Sequence, residues 1–165
     1  MPTAHDVLMS ALGTGKMVLH RYADDLTPAE YLHRVVPAGN CAAWIIGHLI
    51  MTERSGLTRL GVPADQQPAL PAGFEARFAR DEAAPKLAEY GDVAGLLPLF
   101  DAHRDLMIEA VKALPVERLD EALPKPHPMF GNVYQLVTFL GATHLSMHAG
   151  QITVIRRSLG RAPIV

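Results

Sequence analysis

Apolar residues recur every three or four positions in four separate stretches of this 165-residue chain, and most of its 13 prolines fall between those stretches. That period belongs to amphipathic helices, each of which must bury one face against another. The first predicted helix covers Ala4 to Ala23 through Leu8, Leu12, Leu19 and Tyr22. It stops at Asp24-Asp25-Leu26-Thr27-Pro28, where Thr27 caps a short turn and Pro28 takes its first position. Asn40 is the expected N-cap of a second helix carrying Trp44, His48, Met51 and Ser55 on one face and ending near Gly61-Val62-Pro63. From Gly61 to Gly91, with Pro63, Pro68, Pro71 and Pro85, no sustained period survives, so this segment reads as a long crossover with a turn or two over Phe74 to Ala79. Asp92 is the expected cap of a third helix with the stripe Leu96, Phe100, His103, Met107, Val111, limited in its first turns by Pro98. A connection with Pro115, Pro124, Pro126 and Pro128 follows, without a strand pattern. Asn132 and Gln135 then open a fourth helix that runs to Leu159 and closes on Gly160, with Arg156 and Arg157 placed for its dipole.

Four such helices define an all-α chain, a four-helix bundle occupying residues 1–165 as one domain. The crossover between the second and third helices is long enough to let them run parallel, an up-down-down-up order. With 49% hydrophobic and 19% charged residues, disorder is excluded for most of the chain, and a net charge of -2 provides no field for nucleic acid. The single cysteine, Cys41, excludes an intramolecular disulfide framework and a thiolate-rich zinc site, and suits a reducing cytoplasm. The longest apolar run, Cys41 to Met51, contains His48 and is too short to span a bilayer, and the N-terminus shows no signal-peptide pattern. A cytoplasmic protein without membrane or nucleic-acid partners is expected.

The 8 histidines are not evenly placed. On the fourth helix His144 and His148 share a stripe with Leu136, Leu140, Gln151 and Ile155, one turn and about 6 Å apart along the axis, so both imidazoles can reach one ion. On the second helix His48 lies inside Trp44-Ile45-Ile46-Gly47-His48-Leu49-Ile50, where an imidazole needs a buried partner. Three separate core histidines with private hydrogen bonds would satisfy this pattern; one shared metal ion satisfies it more economically.

Trp44-x-x-Gly47-His48-Leu49, followed by His144-x-x-x-His148-x-Gly150-Gln151 and Arg156-Arg157-Ser158-Leu159-Gly160, resembles the DinB-like (damage-inducible) superfamily, which includes metal-dependent thiol-S-transferases. The resemblance spans nearly the whole chain. It implies an up-down-down-up bundle, frequently a homodimer, with one divalent metal bound by the residues matching His48, His144 and His148. It also implies a low-molecular-weight thiol, such as bacillithiol or mycothiol, as the nucleophile.

Three neutral imidazoles leave an ion its full charge and an open position for water or a thiol, the arrangement of a catalytic zinc site. Zinc or nickel suits the donor set best, and iron is compatible. The expected function is thus a metal-dependent transferase that activates a small thiol, or water, against a small electrophile; the alternative is a non-catalytic metal- or ligand-binding stress-response protein. Gln151 and His103 are candidates for supporting roles around the site, with a helix-interface amide and a hydrogen-bonded core histidine as the competing readings. His5, His20, His33 and His127 read as surface residues, and Cys41 as a buried free thiol. Gly13-Thr14-Gly15-Lys16 lacks the spacing of a phosphate loop, Glu30-x-x-His33 has no second copy for a di-iron centre, and Ser146 faces away from both helical histidines.

Overall fold

A computed structural model describes residues 1–78 and 90–164. Among them the protein is mostly helical, an all-α bundle with one small two-stranded sheet. The expected residues Pro85 and Ala79 of the crossover lie outside the described residues.

Helix α1 spans Ala4–Ala23, as its period predicts, and starts on a capping box between Thr3 and Asp6. Thr27 and Glu30 form a second capping box around the one-turn α2, Pro28–Tyr31. Helix α3, Ala42–Arg59, departs from expectation at its start. Its N-cap is Cys41, which keeps an extended backbone and makes no side-chain capping bond, so Asn40 lies one residue too early to cap it. In the crossover a single turn, α4, forms at Phe74–Arg77. Helix α5 covers Leu96–Ala113, starting later than a cap at Asp92 would place it. Pro98 explains this: it has no N–H to close an earlier turn and fits only within the first turn of a helix. Asp92 instead accepts a 3.0 Å hydrogen bond from the Ala94 N–H.

The second proline-rich connection contains a hairpin that the sequence pattern does not predict. Strand β1, Ala122–His127, pairs antiparallel with β2, Phe130–Asn132, in a register that joins Ala122 to Asn132 and His127 to Phe130 with an irregularity between. Prolines are tolerated because every strand of a two-stranded sheet is an edge. Asn132 then caps the last long helical run through the Gln135 N–H, while the Gln135 side chain accepts from Gly131. That run is continuous but not uniform. It consists of α6, Val133–Thr138, a π-helical segment at Phe139–His144, and α7, Leu145–Ser158. Gly160, at φ 75°, completes a Schellman ending in which Arg161 N–H reaches Arg156 O and Gly160 N–H reaches Arg157 O. Arg156 does more than face the helix dipole: it is buried and clamps the Asp25 carboxylate and the Tyr22 carbonyl.

The interior falls into two apolar clusters, one containing Leu19, Ile50, Phe100 and Leu145, the other Leu12, Leu57, Met107 and Leu140. Between them on the four long helical runs stand, among others, Gly15, Glu53, Arg104 and Gly141. Arg104 and Glu53, only 0% and 1% exposed, form a 2.6 Å ion pair across this layer. Arg104 also donates to the carbonyls of Leu12 and Leu140, each at 3.3 Å. Gly15 and Gly141 permit α1 to approach the π-helical segment backbone to backbone, since a Cβ on Gly15 would stand 2.7 Å from Gly141 O. One polar layer thus ties α1, α3, α5 and the π-helical segment together.

Candidate metal centre

The π-helical segment ends on His144, and α7 presents His148 one turn later, facing His48 on α3. Nε2 of His48 and Nε2 of His144 lie 3.2 Å apart, and Nε2 of His148 lies 3.2 Å from the same His144 atom. One donor atom from each ring falls within 4.8 Å of the others, and all three residues are buried. Imidazole nitrogens about 2.0–2.1 Å from a shared tetrahedral ion stand about 3.3–3.4 Å apart. The two closest separations match that spacing.

The surroundings orient the rings. Trp44 stacks on His48 with centroids 5.0 Å apart and planes 4° from parallel, and Phe139 lies over His144 at 5.1 Å. His148 Nδ1 is 3.0 Å from Gln151 Oε1. A carbonyl oxygen only accepts, so Nδ1 carries the proton and Nε2 turns a lone pair toward the centre, the tautomer a metal ligand needs. Lone pairs converging at this distance repel unless a proton or a cation sits among them. The donor set is therefore compatible with one divalent ion.

The three rings open on a cleft of about 750 Å³. Its walls are largely apolar, with Met51, Phe130, Phe139 and Leu140, and its polar side chains include Thr52, Ser55, Arg59 and Gln151. His127 is a correction. Expected as a surface residue, it lines this cleft, stacked on Phe130 at 3.9 Å, because the unpredicted hairpin folds back over α3. Asn40 lines the same cleft instead of capping α3.

His103 takes no place in the cleft lining. Fully buried on α5, it donates from Nδ1 to the Leu99 carbonyl at 2.8 Å. Burial holds its pKa below the ordinary imidazole value against that bond, with nearby Arg54 adding to the depression. The remaining histidines make contacts away from the cleft: His5 donates to Leu114 O, His33 to the Ser158 hydroxyl, and His20 bridges Asp24 and Asp101 at 2.8 Å each. The bonds to Asp101 and Asp24 raise the His20 pKa, outweighing a desolvation that opposes them. Cys41 is buried and free of disulfide, as expected.

Sequence reasoning missed Glu53 and Arg104 altogether. Burial pushes the Glu53 carboxyl up, while Arg104 pulls the other way. Glu53 sits five residues beyond His48 on α3, and Arg104 holds the carbonyl of Leu140 inside the π-helical segment that delivers His144. The pair thereby fixes both histidine-bearing helices relative to each other. The signal was present: each residue interrupts an apolar stripe, as His48 does.

An all-α bundle with three buried, convergent imidazoles beside a cleft defines a class of metal-compatible helical proteins. The DinB superfamily profile matches residues 11–152, and the chain belongs to that superfamily. No curated protein and no solved structure gives a significant match to the chain. Among the described residues no helix is long and apolar enough to cross a membrane.

Proposed function

We propose that His48, His144 and His148 hold one divalent metal ion and that the protein is a transferase joining a low-molecular-weight thiol to a small electrophile. The observation that carries this reading is the convergence of three Nε2 atoms at the mouth of a cleft. A divalent ion held there supplies a Lewis acid that stabilises a thiolate at neutral pH. The chain's own residues do the rest. Gln151 keeps the His148 lone pair aimed inward, Trp44 and Phe139 hold the other two rings flat, and the apolar walls exclude water from the reacting sulfur. In the overall exchange the S–H bond and the electrophile's bond to its leaving group break, one S–C bond forms, and the proton departs with the leaving group. Zinc and nickel suit three imidazoles best.

Metal analysis of untagged protein beside His48→Ala and His144→Ala tests the site. About one ion per wild-type chain and a near-complete loss in both variants is expected; equal metal in all three overturns the reading. A thiol screen against a reactive electrophile then tests transfer, with turnover expected only in metal-bearing protein. Metal retention without turnover for any thiol would leave a metal-binding protein that is not an enzyme.

A further inference from the structure

The described lining of the cleft beside the triad carries charge of one sign. Among the described residues that line it there is no aspartate and no glutamate, and Arg59 is the only side chain there with a permanent charge. No carboxylate of a described residue forms an ion pair with Arg59, whereas Arg104, Arg156 and Arg161 each hold one. The Arg59 guanidinium is nevertheless fixed: Nη1 donates to Lys125 O at 3.1 Å, and its carbon lies 5.9 Å from the Phe130 ring centroid. A guanidinium has five N–H donors in a fork that matches a carboxylate or phosphate, and one carbonyl uses only part of it. His127 adds a second donor on the same hairpin side. Its Nδ1 accepts from the Met129 N–H at 3.1 Å, so the neutral ring carries its proton on Nε2.

Arg59 and the triad lie along one wall. His48, Thr52, Ser55 and Arg59 share a face of α3 at helical spacing, and the eleven steps from His48 to Arg59 cover about 16 Å of axis. Helical side chains lean toward the N-terminus, which brings the guanidinium back toward the triad. Between these two ends the walls combine the apolar Met51, Phe130 and Leu140 with the hydroxyls of Thr52 and Ser55. A cation without a carboxylate partner among the described residues, set against largely apolar walls, attracts anions and repels cations.

Resting on the reading of the triad as a metal site, we infer that the cleft selects elongated anionic ligands, with a metal-seeking head such as a thiol at the triad and a carboxylate or phosphate tail at Arg59. The probes are 8-mercaptooctanoate and 8-mercaptooctanol, alike in chain and thiol and different in charge. The chain's single tryptophan, Trp44, stacks on His48 and reports occupancy by fluorescence. Metal-loaded protein should bind the carboxylate about tenfold more tightly, the worth of one charge-assisted hydrogen bond. Arg59→Gln should erase that preference while binding 8-mercaptooctanol as wild type does, and Arg59→Lys, which keeps the charge, should retain part of it. Equal affinity for both probes in wild-type protein, or a preference that survives in Arg59→Gln, overturns the inference. Failure of the metal reading shows separately, as wild-type protein without metal. Octanoate and octanol, which lack the thiol, then test Arg59 alone on the same signal, and equal binding of the two overturns the inference there too.

Discussion

Two of the polar sites that interrupt the apolar interior share α3, which contributes His48 to the triad and, five residues on, Glu53 to the ion pair with Arg104. The two sites solve burial of polar groups in opposite ways. At Glu53 and Arg104 opposite charges meet, with further bonds to the Leu12 and Leu140 carbonyls, and the layer is closed within the core. At the triad like donors meet, three nitrogens turned toward one point at the edge of a cleft. A pair of opposites balances its own charge, whereas a convergence of like groups asks for a cation.

The sharpest way to break this contrast is Arg104→Met. It leaves Glu53 buried without its cation and should destabilise the protein by about 3–5 kcal/mol, read by chemical denaturation of metal-free protein. The double variant Glu53→Met with Arg104→Met should recover most of that loss, since removing both partners leaves no orphaned charge. His144→Ala comes next and behaves differently. In metal-free buffer its stability should lie near that of wild type, but wild-type protein alone should gain about 4 kcal/mol when the ion is present at a thousand times its dissociation constant. A gain of the same size in the variant would contradict the triad as the metal site.

The smallest effect belongs to a half-buried ion-pair network near the surface that serves as a contrast to both interior sites. Arg161 holds the Glu30 carboxyl at about 2, aided by the Thr27 N–H. A folded-state value below the ordinary 4.5 means that this stabilisation is full above pH 4.5 and fades as pH falls toward 2. Glu30→Gln should therefore lower stability slightly above pH 4.5, converge with wild type as pH falls toward 2, and so flatten the acid limb between. An unaltered acid limb would assign it to other carboxyls.

Much of this contrast was visible in the sequence, but only one helix at a time. The range of α1 follows directly from its apolar period, and His48 stands out within Trp44 to Ile50 because imidazole is rare in such a run. Glu53 interrupts Ile46, Ile50 and Leu57, and Arg104 interrupts Phe100, Met107 and Val111, with the same clarity. What periodicity lacks is the partner: that Glu53 meets Arg104 depends on how α3 lies on α5. The histidines were easier because two of them share a helix and a family pattern joins the third. The hairpin stayed hidden because its prolines mask a strand, and with it the approach of His127 to the cleft. The π-helical segment has no local signature; it coincides with the glycine contact between α1 and Gly141 and with the Arg104 bond to Leu140, both of them tertiary.

That segment lets the run from Phe139 to His144 carry one more residue than an ordinary helix needs for the same arc. Each residue of an α-helix advances the side chains by about 100°, and the wider turn advances them by less. Tightening the same residues into an ordinary helix would therefore turn its two halves out of phase. Either α6 would keep its seat beside the hairpin or α7 would keep His148 opposite His48, but not both. The wide turn absorbs the extra residue, and loss of one residue there would leave both halves in phase on an ordinary helix.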